Sequence, residues 1–272
     1  MICRKLRIAG LLIEVNGTFL PTLRRTSTRG GDFRGRSKTL KQRDFIAASA
    51  DQNVIWVDPL SITRQLGSKW PVGQEKLARL RRLLPGPVVN LVRSPIKRAE
   101  PFEIPRRFLD RTMRVEDTRR HQRLENLLAT RDGPRRSLWF TELTGDLQRK
   151  GVAYYKTRPL RSEAEIDAFL HQMIALADAL ATRGFDPRAT GYESTAVIDA
   201  DGMLVKTGSG NHRFCLARLV GLRRFPVQIV GAHEDWLRAN VAAPVTVEAV
   251  IDCLPAVAAR HAAPEQPQEA CA

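Results

Sequence analysis

The sequence predicts an α+β protein, and three observations carry that reading. Two runs of β character, residues 194–199 and 203–207, flank Ala200-Asp201-Gly202, an Asp-Gly turn of the kind that closes hairpins. Ser162 opens a Ser-x-x-Glu capping box with Glu165; Ile166, Phe169, Leu170, Met173, Ala177 and Leu180 then recur at helical spacing until Gly184. At 272 residues and 43% apolar composition, the chain can bury a core in one domain or two.

Taken in order, residues 1–50 read as a basic extension. Its stretch Leu23-Arg-Arg-Thr-Ser-Thr-Arg-Gly-Gly-Asp-Phe-Arg-Gly-Arg36 is too polar to order itself, so the extension is expected to be disordered. Residues 51–160 read as a basic, mostly helical α/β region. Val54-Ile-Trp-Val57 has strand character, and Leu77, Leu80 and Leu84 share one helical face until Pro85-Gly-Pro87 ends that helix. Val88-Val-Asn-Leu-Val92 reads as a further strand. Residues 114–130 read as a helix crowded with Arg119, Arg120 and Arg123, which call for a phosphate or for Glu116, Asp117 and Glu125 as partners. Tyr154-Tyr-Lys-Thr-Arg158 reads as a polar-aromatic loop at a core edge, within reach of a ligand.

Residues 161–240 hold the capped helix, the hairpin, a helix over 214–220 stopped by Gly221, and a strand over 225–230. An Ala/Pro/Gln/Glu tail over 255–272 is expected to be disordered.

Charge is unevenly placed. Residues 1–160 carry 34 Lys and Arg against 15 Asp and Glu, whereas residues 161–272 carry 10 against 14. The basic first half suits a polyanion, either nucleic acid or a membrane surface, against the plainer reading of solvated arginines from an Arg-rich composition. Aromatic residues are only 6% and no basic–aromatic stacking platform is visible. Cys3, Cys215, Cys253 and Cys271 form no Cys-x-x-Cys pair, and the five histidines show no metal spacing. A disulfide framework and a structural zinc are therefore not expected, and the scattered thiols suit a reducing cytoplasm. The apolar run Ile8-Ala-Gly-Leu-Leu-Ile13 is too short for a signal peptide, and no run approaches a membrane span. The expected location is cytoplasmic.

The candidate site is Gly208-Ser-Gly-Asn-His-Arg213. A glycine loop feeding a helix start exposes backbone N–H groups at the positive end of the helix dipole, which suits a phosphate. His212 and Arg213 add donors on the first turn, Arg213 with a fork that matches phosphate oxygens. The alternative is a plain glycine turn.

Together with Val197-Ile-Asp-Ala-Asp-Gly-Met-Leu204, Leu216-Ala-Arg-Leu-Val-Gly-Leu222 and Pro226-Val-Gln-Ile229, this box resembles the ParB/sulfiredoxin-like superfamily over roughly residues 190–236. The resemblance implies a C-terminal domain with a small mixed sheet and packed helices. It also implies a nucleotide held by Gly208, Ser209, Gly210, Asn211, His212 and Arg213. The superfamily includes cytidine triphosphate hydrolases of chromosome partition, sulfinic acid reductases, free-serine kinases and reported nucleases. Where sulfiredoxins place a reactive cysteine and partition proteins a glutamate, this chain has Asn211, which speaks against sulfinic acid repair and a metal-assisted triphosphatase. Only 36 residues follow position 236, so partition by the usual route is not expected. What the resemblance implies is a phosphotransferase or nucleotide hydrolase, with a nucleoside triphosphate and Mg²⁺ as the cofactors to expect.

Glu193 is the candidate general base or Mg²⁺ ligand opposite Arg213, against the plainer reading of a surface carboxylate. His233 follows the last strand, where ligands gather in open sheets, and is the second site candidate. Asp199 and Asp201 fit the Asp-Gly turn better than a metal loop. Two other classes of function stay open: a non-enzymatic nucleic-acid-binding protein using the basic half, and a box domain that binds a ligand or partner without catalysis.

Overall fold

The computed structural model describes residues 39–192 and 194–264, with a separate strand pair at Arg7–Ile8 and Leu11–Leu12. The chain divides into two units, Met1–Arg36, which holds that pair, and Ser37–Ala272, described below.

The second unit is a mixed α and β structure around one mixed seven-stranded sheet. Its strands are β1 (Val54–Val57), β2 (Arg64–Gln65), β3 (Glu103–Ile104), β4 (Met113–Arg114), β7 (Thr195–Ile198), β8 (Leu204–Lys206) and β9 (Phe225–His233). A separate hairpin is made by β5 (Ala153–Tyr155) and β6 (Arg158–Leu160). The order is β1-β9-β7-β8-β2-β4, with β3 beside the far end of β9. Within it β9 runs parallel to β7, β8 parallel to β2, and β7 antiparallel to β8. Strands β7, β8 and β9 of the C-terminal half lie together, flanked on both sides by strands of the first half, so residues 51–160 and 161–240 share one core.

The helices are α1 (Gln42–Ser49), α2 (Pro71–Leu83), α3 (Gly86–Arg98), α4 (Arg119–Ala129), α5 (Leu138–Lys150), α6 (Glu163–Arg183), α7 (Asn211–Leu219), α8 (Glu234–Asn240), α9 (Val247–Ile251) and α10 (Leu254–Arg260), of which α2 and α3 pack mainly on each other. Helix α7 buries Phe214, Cys215, Leu216 and Ala217 around its circumference, because α4 and α6 both pack against it. Helix α6 starts at the expected Ser162 cap, with Ser162 Oγ accepting from Glu165 N at 3.2 Å. The Glu165 carboxylate, however, reaches one residue past the cap and accepts from Arg161 N at 2.8 Å instead of from the Ser162 amide of a reciprocal capping box. It ends before Gly184 at φ 72°.

Four sequence expectations change. Residues 88–92 are helical, within α3: Pro87 presets the first turn, and a 3.6-residue period lets Val89 alone be buried while Val88 and Leu91 face outward. The helix expected over 114–130 begins at Arg119, after the Thr118 cap, because Met113–Arg114 pairs with β2. Up to residue 38, the extension expected over 1–50 lies outside the described residues except for the strand pair Arg7–Ile8 and Leu11–Leu12, and its end is helix α1, whose Phe45 is buried against Phe102. The tail expected from 255 begins as helix α10, with Leu254, Val257 and His261 buried. His261 holds that tail down: its Nε2 accepts from Leu204 N at 3.1 Å, and its Nδ1 shares a 2.8 Å hydrogen bond with the Ser61 hydroxyl. Among the described residues no helix is long and apolar enough to cross a membrane.

Candidate functional site

The glycine box begins where β8 ends, and its shape is set by a buried lysine. Lys206 is fully buried, and its ammonium donates to Thr207 O at 2.9 Å, to Ser209 O, and to Asn211 Oδ1 at 2.7 Å. Three acceptors use all three N–H groups of an ammonium. Burial pulls the Lys206 pKa down to about 7, against the preference of these oxygens for the charged form. In a trans peptide the N–H points opposite to its carbonyl. With the carbonyls of Thr207 and Ser209 turned inward to Lys206, the amides of Gly208 and Gly210 are turned away from it. Gly210 sits at φ 66°, in the left-handed region, as the cap of α7. No amide of residues 208–210 has an acceptor among the described residues.

A basic cleft adjoins this loop. Because β2 is parallel to β8, both strands run out at the same sheet edge, and residues 67–70 after β2 face residues 208–209. The approach is close: a Cβ on Gly208 would lie 3.1 Å from Gly67 O. The cleft has a volume of about 320 Å³ and is lined by Gly67, Ser68, Lys69, Trp70, Gln74, Leu77, Arg81, Arg93, Lys97, Gly208 and Ser209. Four of these are cations and none is a carboxylate. Burial lowers the Lys69 pKa, and burial followed by the neighbouring Arg93 charge lowers that of Lys97. Lys97 Nζ stands 3.9 Å from the centre of the Trp70 ring, a cation–π contact.

Glu100 fixes the far wall. Nearly buried, it accepts from Val72 N at 2.9 Å and Gly73 N at 2.6 Å, capping α2, whose own cap residue supplies no side-chain bond. Its pKa is raised by burial, an effect opposed by these amides. Gln42 ties the same corner to the sheet, donating to Lys69 O at 3.1 Å and Val230 O at 2.9 Å.

The other box residues point elsewhere. His212 stacks on Trp139, with ring centres 5.8 Å apart and planes 9° from parallel, and meets the Tyr155 hydroxyl at 3.4 Å. Burial, then the charges of Arg120, Lys156 and Arg123, press its pKa down to about 3, so it is a neutral member of an aromatic cluster. Arg213 lines a different hollow, with Leu180, Gly184, Phe185 and Asp186. Asn211 serves Lys206. Cys215 is buried, and burial raises its thiol pKa to about 11, which keeps it inert.

His233 ends β9 and accepts from Asp235 N at 2.9 Å through Nδ1, leaving Nε2 to carry the proton. It lies by Asp199 and Arg64 in a hollow at the opposite end of the sheet, beyond the parallel pair β7 and β9. Asp199 Oδ1 accepts from Asp201 N and Met203 N at 3.0 and 2.8 Å, the turn geometry expected of it. Glu193 lies outside the described residues. Among the described residues no group of three or more His, Cys, Asp or Glu is placed to hold a metal ion.

Sequence reasoning missed Lys206, Lys69, Trp70 and the cations of α2 and α3 as site residues. Only one signal was available for them, a lysine within an otherwise apolar central strand. No protein-family model matches this chain, and neither does any curated protein or solved structure.

Proposed function

We propose that the cleft between residues 67–70, helices α2 and α3 and the Gly208-Ser209 loop binds the phosphates of a nucleotide. The ParB/sulfiredoxin-like resemblance of the box supports this reading, as does the order β7, β8, loop, α7, β9. The observation that carries it is the lining itself: Lys69, Arg81, Arg93 and Lys97 beside Gly208 and Ser209, with no carboxylate. An anion there gains charge-assisted hydrogen bonds and relieves repulsion among the four cations.

The described lining holds no carboxylate or imidazole, so it supports binding more directly than phosphoryl transfer or hydrolysis. Trp70 offers a flat apolar face at the mouth, partly engaged by Lys97.

The test is thermal stability with a panel of nucleoside di- and triphosphates, with and without Mg²⁺. A ligand at about a hundred times its Kd stabilises by roughly 2.7 kcal/mol, a melting shift on the order of 4 °C for a chain of this size. The expected result is a shift in the wild type that is lost in Arg93→Ala. A shift retained in Arg93→Ala and lost in Arg213→Ala would move the ligand to the hollow beside Phe185. No shift with any nucleotide would overturn the reading.

A further inference from the structure

We infer that the α2–α3 hairpin is a docking arm for a polynucleotide whose backbone phosphates run along it into the cleft. This inference rests on the reading of the cleft as a phosphate site and names the class of ligand.

The hairpin has little core of its own. Its two helices have 13 residues each, so the arm is about 20 Å long. They pack mainly on each other, and between residues 78 and 99 only Val89 is buried. Near the tip Leu83 and Leu91 are 80% and 79% exposed.

Its charge is one-sided: Lys76, Arg79, Arg81, Arg82, Arg93, Lys97 and Arg98 stand against a single acid, Glu75. Glu75 is engaged by Arg79 and by Arg107 from outside the hairpin. Among the described residues, the other six arm cations have no carboxylate within 4.0 Å. Lys76, Arg79 and Arg82 recur at i, i+3 and i+6, and Arg93 and Lys97 at i, i+4, spacings at which like charges repel along a helix. A repulsive array on a projecting element is relieved by a polyanion.

The shape of the site favours a nucleic acid strand over a lipid surface. Arg81, Arg93 and Lys97 belong both to the arm and to the 320 Å³ cleft, so the cationic track continues into a narrow hollow lined by the glycine loop and an indole. A strand end can enter such a hollow; a bilayer face cannot.

The experiment uses the full chain and four probes: a labelled 20-nucleotide single strand, its duplex, Mg²⁺-nucleoside triphosphate, and phosphatidylserine/phosphatidylcholine vesicles. Arg82 and Arg98 are exposed and do not line the cleft, so the double variant Arg82→Ala/Arg98→Ala keeps the fold and the cleft intact.

If about four phosphates are engaged, oligonucleotide affinity falls on the order of 100-fold between 50 and 200 mM salt. The double variant is expected to weaken oligonucleotide binding about 10-fold or more and to lower the salt slope by about 2, with triphosphate affinity unchanged. Preference for the single strand or the duplex identifies which form docks. Triphosphate binding together with oligonucleotide binding indifferent to Arg82 and Arg98 would overturn the arm and leave the cleft reading standing. Loss of vesicle binding in the double variant, with oligonucleotide binding unchanged, would replace the polynucleotide with a membrane surface. If neither triphosphate nor oligonucleotide binds the wild type, both readings fall.

Discussion

The Lys206 ammonium donates to Asn211 Oδ1 at 2.7 Å, tying the last residue of β8 to the first residue of α7 across the glycine loop. The same nitrogen holds the carbonyls of Thr207 and Ser209, so one buried side chain fixes which way the loop amides face.

Replacing Lys206 with Met keeps much of the side-chain volume and removes all three donors. Ligand affinity in the cleft is expected to fall at least 10-fold, because the loop carbonyls lose their anchor. Isothermal titration with the ligand found in the nucleotide panel measures this. Unchanged affinity would show that the loop holds its shape without the lysine.

The pH dependence of stability tests the same residue. A lysine at pKa about 7 in the folded chain and near 10.5 in the unfolded chain binds fewer protons when folded throughout that window. Stability from this group therefore rises as pH increases from about 7 to 10.5, with a slope on the order of 1 kcal/mol per pH unit. Urea unfolding at a series of pH values should show this rise in the wild type and a flatter profile in Lys206→Met.

His212 gives the opposite end of the pH scale. With a folded pKa of about 3 against 6.5 unfolded, it stays neutral through pH 5–8, and its stabilising share is lost as pH falls from about 6.5 towards 3. Its ring proton shifts in NMR should not move between pH 8 and 5. A midpoint near 6.5 would show that the stack on Trp139 is open to water.

Gly208→Val tests the close approach of the two loops. The added Cβ would meet Gly67 O at 3.1 Å, and the branched side chain would force residues 67–69 away. A modest stability loss, about 1–2 kcal/mol, is expected together with loss of the ligand-induced melting shift.

Arg218 is a structural counterpart to these site residues. Its guanidinium is nearly buried and donates to Pro59 O at 2.6 Å, Leu60 O at 3.2 Å, Ile62 O at 2.9 Å and to Glu116. Arg218→Met leaves these acceptors unpaired and should cost about 3 kcal/mol in denaturant unfolding, with the cleft ligand still bound. A loss under 1 kcal/mol would show that water replaces the guanidinium.

What the sequence determined by itself was local. The Asp-Gly hairpin, the Ser162 cap, the stripe from Ile166 to Leu180, and the strand–loop–helix–strand order around Gly208 depend on turn chemistry and periodicity between near neighbours. The tertiary structure decided whatever depends on distant partners. Residues 88–92 became helix once the arm buried only Val89, and residues from 254 became helix where His261 meets Ser61 and Leu204. The shape of the candidate cleft depends on distant partners too. Parallel pairing of β2 with β8 brings residues 67–70 beside residues 208–209, while aromatic packing turns His212 towards Trp139. A residue's spacing shows which helix face it shares with its neighbours; which wall that face meets is set by pairing and burial across the whole chain.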